Sequence, residues 1–509
     1  MGHQQINSNN ISEVKKDFQH DKYSKKTKSI CPICYSTLNA RVFEEDDKIY
    51  IEKTCKTHGY FRDIYWSDAS LFKKQFKYAV EGDPIENPNT KSSKDCPRDC
   101  GLCEEHMTHT MLANIDLTNR CNQSCPICFA NSAAAGYVYE PTLEQIRDML
   151  ALLRNEKPNP VWAVQFSGGE PTVHPRIFDI IAIAKEYGFR YVIIATNGVK
   201  IAQDLTFAKQ LKTAGLNVAY LQFDGLTPEP YIQARGYDAL PLKLKAVENL
   251  KLADIPTALV PTVVKGVNDE QLGAIIEYGL KNLETVKAVN FQPVSFTGRI
   301  DKEELEKKRI TISDVMILVE EQTDGRILRD DWLPIPAFAP LEMMMEKISK
   351  SRRSKAATHV HCGAGVYLFE KNGSYIPLNR FVDLDMAREI IMDELATNRH
   401  IMNDIRMKTS LVYKISKTID KKKAPEYFDY NELLMEALLN QFYEIPVALK
   451  KKGLFVGCMH FMDPYNFDTD RIERCCIHYA TPDNRIIPFC TYNTLHRSKM
   501  EEKFALPMQ

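Results

Sequence analysis

The sequence predicts an α/β fold: a parallel sheet covered by helices, with small cysteine-bearing modules before and after it. Two observations carry this expectation. Between residues 111 and 300, six strand-like runs alternate with amphipathic helical stretches, and successive βα units lay their strands parallel under covering helices. Around that alternation fall fourteen cysteines in short, regular groups. The polar N-terminus lacks the apolar stretch of a signal peptide, so these cysteines read as metal ligands of an intracellular protein, not as disulfides.

Residues 1–28 are polar and lysine-rich and are expected as a disordered tail. Residues 29–66 carry Cys31-Pro-Ile-Cys34 and Cys55-Lys-Thr-His58, with a β-like Lys48–Glu52 between them. Two cysteines, then a cysteine and a histidine, make a small tetrahedral site. It is similar to a rubredoxin or zinc-ribbon knuckle, with His58 in the place of rubredoxin's fourth cysteine. Mononuclear iron and zinc both suit that donor set, as a folding staple or an electron-transfer accessory. Residues 67–110 read as a linker. It ends in Cys96, Cys100 and Cys103, after a charged stretch from Asp83 to Lys94 that is no strand.

From 111 to 300 the strand runs are Leu112–Thr118, Val161–Phe166, Tyr191–Thr196, Val218–Phe223, Ala258–Val264 and Val289–Val294. Thr142-Leu-Glu-Gln145 is a capping-box pattern that opens the first helix and sets Ile146, Met149, Leu150 and Leu153 on one face. The next helical stretch, near Ile177–Tyr187, ends at Gly188, a natural C-cap. The loop after the first strand holds Cys121, Cys125 and Cys128. A cubane iron–sulfur cluster takes four such bonds, so three thiolates leave one iron open to a small molecule. The second strand closes in Ser167-Gly168-Gly169-Glu170, where glycines permit close approach and Glu170 offers an acceptor to an ammonium. Chemistry in barrel-like folds sits at the carboxyl ends of strands. That rule brings Thr196 and Asn197, Gln222 and Asp224, Thr262, and Gln292 to the same mouth.

The cysteine loop followed by this glycine–glycine–glutamate strand resembles the radical S-adenosylmethionine (SAM) superfamily, whose core is a (β/α)6 partial barrel. The resemblance implies that the open iron chelates the amino and carboxylate groups of SAM. Reduction then gives a 5′-deoxyadenosyl radical that abstracts hydrogen from an unactivated carbon. It implies that Glu170 holds the amino group of SAM. Further SAM contacts are implied for Ile127, Ser167, Gly168, Gly169, Thr196, Asn197, Gln222, Asp224, Thr262 and Gln292. Arg235 is expected to pair with the SAM carboxylate through a bidentate fork. A reductant such as ferredoxin or flavodoxin is an implied partner. Cys96, Cys100 and Cys103 repeat the spacing without flanking strands, and are assigned to an auxiliary cluster.

Residues 301–509 are expected as an auxiliary-cluster and substrate-tunnel region. Trp332–Leu341 and Met343–Met345 read either as core or as the lining of a greasy passage. The basic Lys350–Lys355 reads as a solvated face or a contact with phosphate headgroups. Helical, lysine-rich sequence fills 384–452. The hairpin-like Cys475–Cys490 resembles the cysteine-bearing hairpins of auxiliary-cluster domains in the superfamily. Of fourteen cysteines, three serve the knuckle and three the SAM site, leaving eight, enough for two fully ligated cubanes and three [4Fe–4S] clusters in all. Adjacent residues of an extended segment face opposite ways. One of Cys475 and Cys476 is therefore expected to complete the Cys96 site, while the other joins Cys362, Cys458 and Cys490.

A formal net charge of −1 gives no global attraction to nucleic acid. Apolar runs stop short of the ~18 residues of a membrane span. The expectation is a cytoplasmic protein with peripheral contact at the inner membrane face. Over nearly the whole chain the layout resembles the archaeal tetraether lipid synthase group, which implies coupling of the terminal carbons of isoprenoid lipid chains. The alternatives are a radical methylase of a 7,8-dihydro-6-hydroxymethylpterin type precursor, a non-catalytic iron–sulfur electron carrier, and peptide modification. A lipid enzyme needs a long apolar tunnel with a cationic rim; a pterin enzyme needs a polar, aromatic pocket.

Overall fold

A computed structural model describes residues 18–19, 22–92, 95–132, 136–349, 352, 354–396, 404–428 and 452–506. Its N-terminal unit is an antiparallel meander of β1 (Phe18–Gln19), β2 (Lys22–Ile30), β3 (Thr37–Glu45), β4 (Lys48–Cys55) and β5 (Gly59–Trp66). Residues 22–28, expected as tail, form most of β2 instead, because their alternation lets β2 pair with β3 from Ser24 to Ile30. Residues 1–17 of that tail lie outside the described residues. Helix α1 (Ala69–Gln75) follows, with Asp68 accepting from the Leu71 amide as its N-cap. It buries Phe72 edge-on against Tyr23 and Trp66.

The central sheet runs β6 (Leu112–Thr118), β7 (Ala163–Gly168), β8 (Tyr191–Thr196), β9 (Val218–Gln222), β10 (Thr257–Val260) and β11 (Val286–Pro293), neighbours in that order and all parallel. Helices alternate with them as expected. Helix α2 (Leu143–Arg154) starts in a reciprocal capping box between Thr142 and Gln145, and buries Ile146, Met149, Leu150 and Leu153. Each such side chain contributes about 1.5–3 kcal/mol through burial. Helix α3 (Ile177–Glu186) stops before Gly188, which takes φ +81°. Helices α4 (Pro228–Arg235) and α5 (Leu240–Leu252) follow β9.

Strand alternation divides the residues by face. Ile115, Phe166, Leu221 and Phe291 are fully buried in the core, while Asn114, Gln165, Tyr220 and Asn290, each one residue away in its strand, line the barrel interior. The sheet extends beyond the six strands at both edges. Strand β13 (Gly453–Met459) lies parallel beside β11 and carries β12 (Gly363–Lys371) antiparallel on its far side. Strand β14 (Ile477–Ala480) lies parallel beside β6 and turns back as the hairpin strand β15 (Ile486–Pro488). The C-terminal region thus flanks the partial barrel on both sides.

The apolar run expected as core or greasy passage packs largely into the core, with Leu341 exposed. Trp332 is buried in the main core, and Met344 and Met345 of helix α6 (Ala339–Ser349) are buried, Met344 against Ile391 and Leu411. None of Trp332–Met345 lines the barrel cavity. In the basic cluster, Lys355 pairs with Asp83 at 2.7 Å and Arg352 with Glu86 at 3.6 Å. Lys350, Ser351 and Arg353 lie outside the described residues, as do 397–403 and 429–451 of the lysine-rich stretch. Among the described residues, no helix is long and apolar enough to cross a membrane.

Candidate active site

The carboxyl ends of the six strands surround a cavity of about 400 Å3. Its mouth is the irregular loop Arg120–Phe129. Main-chain bonds hold this loop, as its backbone polar groups require. Cys128 exchanges two amide hydrogen bonds with Arg299, each 2.9 Å, and the Ile127 amide donates to the Ala234 carbonyl at 3.2 Å. Arg299 Nε donates to the Cys125 carbonyl at 2.7 Å. Gly298, at φ +68°, lets this segment lie flat on the loop, since a Cβ there would collide with the carbonyl oxygens of Cys128 and Phe129.

The glycines of the Ser167–Glu170 turn have the same purpose. A Cβ at Gly168 would collide with the Thr118 carbonyl, and one at Gly169 with the Arg120 carbonyl. The Gly169 amide donates to Thr118 at 2.6 Å and the Glu170 amide to Arg120 at 2.9 Å. Two segments about fifty residues apart are thereby locked backbone to backbone. Glu170 is buried. Its Oε1 accepts from the Thr172 amide and from the Thr172 and Thr196 hydroxyls, at 3.1, 2.6 and 2.7 Å. Its Oε2 accepts from the Asn197 amide at 2.6 Å and keeps a lone pair for one more donor.

Cys121, Cys125 and Cys128 all line the mouth, and among the described lining residues no fourth cysteine or histidine joins them. Burial pushes the Cys121 thiol up to about 12 against the pull of the Gln123 amide. Burial also raises Cys125, with the Arg235 guanidinium opposing. A metal cluster binds thiolates, so its uptake here releases protons. Three convergent thiols one ligand short fit a [4Fe–4S] cluster with an open iron.

The other expected SAM contacts divide. Ile127, Ser167, Gly168, Gly169, Glu170, Thr196, Asn197, Gln222, Arg235, Thr262 and Gln292 all line the cavity. Asp224 does not. It is fully buried and receives the Arg235 fork, with Nε at 2.7 Å and Nη2 at 2.9 Å. Burial works against the Arg235 charge, and Asp224 beside it more than restores it. The fork expected for the SAM carboxylate is therefore taken by Asp224, while Nη1 donates to the Ile127 carbonyl at 3.0 Å and steadies the cysteine loop.

Three residues here carry no sequence signal of their own: Arg299, Lys243 and Arg497. Lys243 of α5 is fully buried, and its Nζ donates to the Asn197 carbonyl and to Gln222 Oε1, both at 2.5 Å. Burial brings it down to about 8, with Asp224 resisting. Arg497, on the C-terminal helix α7 (Arg497–Lys503), reaches into the barrel and pairs with Asp116 of β6 at 2.5 Å. Ser167 Oγ donates to the other Asp116 oxygen at 2.8 Å.

The knuckle is assembled as expected. Donor atoms of Cys31, Cys34, Cys55 and His58 all lie within 4.8 Å of one another, which fits one tetrahedral ion. The Thr57 and His58 amides pull Cys55 down to about 6, readying a thiolate. Cys475 is pushed well up by burial and then by the neighbouring Cys490, Cys476 and Cys362. Cys476 also lies in the field of Cys362. Cys475 and Cys476 thus both lie within the electrostatic reach of Cys362. The alternation rule fails because the Cys475 amide bonds to the Ile472 carbonyl at 3.1 Å in a helical turn, and the strand starts only at Ile477. Cys458 stands apart in the main core. Burial raises its thiol, and Asp314, not a cysteine, is the charge acting on it. Cys96 and Cys100 interact with each other, and Cys103 acts on Cys100.

Thiolates one short of a cubane, closed against a glycine–glycine–glutamate turn at the mouth of a half-barrel, are the mark of radical SAM proteins. Residues 115–279 match the family model of the Radical SAM superfamily, and residues 23–67 match that of the HMPTM N-terminal zinc ribbon domain. The chain is 48% identical over 490 residues, 95% of its length and 96% of the relative's, to 7,8-dihydro-6-hydroxymethylpterin dimethyltransferase of Methanocaldococcus jannaschii. It belongs to that protein's family within the radical SAM superfamily. It is also 29% identical over 196 residues to GTP 3′,8-cyclase of Syntrophomonas wolfei, covering 38% of this chain and 59% of that one. Among solved structures it resembles Streptococcus suis SuiB, with TM-score 0.35 and 17% identity over 43% of this chain and 47% of that chain. The full-length relative overturns the lipid-coupling expectation, and the polar inner faces of the strands agree, since a tunnel for alkyl chains has no use for buried amides.

Proposed function

We propose that this chain is a radical SAM methyltransferase acting on a 7,8-dihydro-6-hydroxymethylpterin type substrate. The observation that carries the reading is the 48% identity to the pterin dimethyltransferase across nearly all of both chains. The cavity supports it: its lining carries amide side chains from β6, β7 and β11 together with the aromatic Phe461, Phe489 and Tyr479. Phe461 and Phe489 stack with centroids 4.1 Å apart. A flat heterocycle with a hydrogen-bonding edge suits such a lining.

A cluster on Cys121, Cys125 and Cys128 would supply the electron that cleaves SAM to a 5′-deoxyadenosyl radical. The chain's own residues orient and enclose. Glu170 offers its spare lone pair to the SAM ammonium. Asn197 and Gln222, braced from behind by Lys243, present polar groups to the nucleoside. A second cluster on Cys362, Cys475, Cys476 and Cys490 would exchange electrons with the substrate, since Ile477 and Phe489, each next to one of those cysteines, line the cavity. A third would use Cys96, Cys100 and Cys103, and the knuckle holds a single ion. A ferredoxin or flavodoxin is the proposed reductant.

Anaerobic incubation of the reconstituted protein with SAM, reductant and the dihydropterin tests this. Formation of 5′-deoxyadenosine should rise when the pterin is added, and a pterin product heavier by a methyl group should form when cell extract supplies a one-carbon donor beside the SAM that is cleaved. Cleavage of SAM indifferent to the pterin would count against the reading.

A further inference from the structure

The segment 461–468 runs from the cavity to the N-terminal ribbon, and the ribbon holds it along most of its length. At the cavity end, Phe461 lines the wall and stacks on Phe489, and the Met462 amide donates to Cys490 Sγ at 3.3 Å. Lys53 of β4, only 3% exposed, donates to the Pro464 and Tyr465 carbonyls at 2.6 and 2.9 Å. Ser29 of β2, fully buried, donates to the Phe467 carbonyl at 2.5 Å. The hydroxyls of Thr27 and Tyr65 donate to the two carboxylate oxygens of Asp468, at 2.6 and 2.9 Å. Lys25 pairs with Asp470 at 2.9 Å.

The knuckle places the two central donors. Ser29 lies two residues before Cys31, and Lys53 two before Cys55. Strand β3 runs between β2 and β4, so one ion held by Cys31, Cys34, Cys55 and His58 ties together the ends of two strands that do not pair. There Lys53 Nζ also donates to Ser29 Oγ at 2.9 Å, and its three protons are all engaged. Ile30, between Ser29 and Cys31, packs in the same apolar cluster as Met462, Tyr479 and Phe489. The barrel holds the segment at one further residue. Asp463 accepts from the Phe296 amide at 2.8 Å and from Arg309 Nη1 at 2.6 Å, while Arg309 Nη2 reaches Asp63 of the ribbon at 2.5 Å.

We propose that the ribbon, pinned by its ion, is the brace of the cavity's aromatic wall, with Lys53 and Ser29 as positioning residues that hold Phe461 in place through the carbonyls of 464–467. This goes beyond the pterin reading and rests on it only where the pterin serves as a probe. The work of the ion is mechanical. Zinc and iron serve it equally, because both take three sulfurs and a nitrogen in a tetrahedron. Removing Lys53 leaves two backbone carbonyls without their donor, and the segment that carries Phe461 loosens. The hydrogen bonds that hold Arg120–Cys128 come from the glycine turn, α4 and Arg299, so the SAM end of the cavity is braced independently.

The test uses Lys53→Met, which keeps the length of the side chain and removes its donors, in the full-length, cluster-loaded protein. Amide hydrogen exchange read by mass spectrometry should speed up at least about tenfold over 461–468, while Arg120–Cys128 exchanges at the parent rate. In the assay with 7,8-dihydro-6-hydroxymethylpterin, KM for the pterin should rise at least about fivefold. Both kcat and the formation of 5′-deoxyadenosine without pterin should stay within about twofold of the parent. Ser29→Ala should give the same pattern at smaller size, and it decides alone if Lys53→Met does not fold. Unchanged exchange over 461–468 overturns the inference. So does slower cleavage of SAM at an unchanged KM for the pterin, the result an electron relay through the ribbon would give. Parent protein indifferent to the pterin overturns the proposed function, and hydrogen exchange then decides the brace by itself.

Discussion

Two sets of cysteines in this molecule are built in opposite ways. Cys121, Cys125 and Cys128 come from eight consecutive residues, and the backbone of Arg120–Cys128 is gripped by three segments: the glycine turn, the end of α4 and Gly298–Arg299. Cys362, Cys475, Cys476 and Cys490, the set proposed for a second cluster, come from three separate segments next to β12 and the β14–β15 hairpin, which flank the barrel on its two edges. The first set is a local motif completed by tertiary contacts. The second exists only once the sheet is assembled. The difference teaches that the site left one ligand short is held along its backbone by bonds to its neighbours, as an open iron requires if it is to bind a co-substrate in one orientation.

The sharpest way to break the comparison is at the local set. Cys125→Ser should abolish 5′-deoxyadenosine formation while the knuckle ion remains, read by chromatography of the nucleoside and metal analysis. Next comes the grip on the loop. Gly169→Ala forces a methyl group onto the Arg120 carbonyl, and the displaced cysteine loop should cost about a hundredfold in SAM cleavage. In the assembled set, Cys476→Ser should remove one cluster's worth of iron and Cys458→Ser none. Equal iron loss from the two variants would restore the partition expected from strand alternation.

The smallest effect concerns the tie between barrel and hairpin. Glu156 is buried beneath β14, accepting from the Thr110 amide at 2.7 Å and hydroxyl at 2.6 Å, and that hydroxyl lies 2.9 Å from His478 Nδ1. Burial raises Glu156 to about 7 despite the bonds from Thr110. A carboxyl with a raised folded-state value gives its full stability below the ordinary carboxylate range and loses it as pH climbs through 7. Thermal unfolding should therefore show stability falling by about 2–3 kcal/mol from pH 4 to pH 8, and Glu156→Gln should flatten that slope.

The parts legible in the sequence were those whose physics is local. Thiol spacing, the glycine–glycine–glutamate strand end, the Thr142 capping box and the Cys475–Cys490 hairpin each depend on residues within one short segment. What stayed hidden depends on distant segments meeting. Arg299 reads as one more loop arginine until it bonds Cys125 and Cys128, and Lys243 as a surface lysine of α5 until it is found buried against Asn197 and Gln222. The Arg235 fork was legible as a fork, but its partner was not, because only the fold brings Asp224 within 2.7 Å of it. The alternation argument for Cys475 and Cys476 presumed an extended segment, and a turn stands there instead, with the strand starting at Ile477.

The central claim is that a radical formed at the Cys121–Cys128 loop acts on a dihydropterin held in the barrel cavity. Deuterium placed on the carbons of 7,8-dihydro-6-hydroxymethylpterin, followed into 5′-deoxyadenosine by mass spectrometry, tests it most directly. The account predicts deuterium in the nucleoside. Nucleoside formed at full rate with no deuterium from the pterin would contradict it.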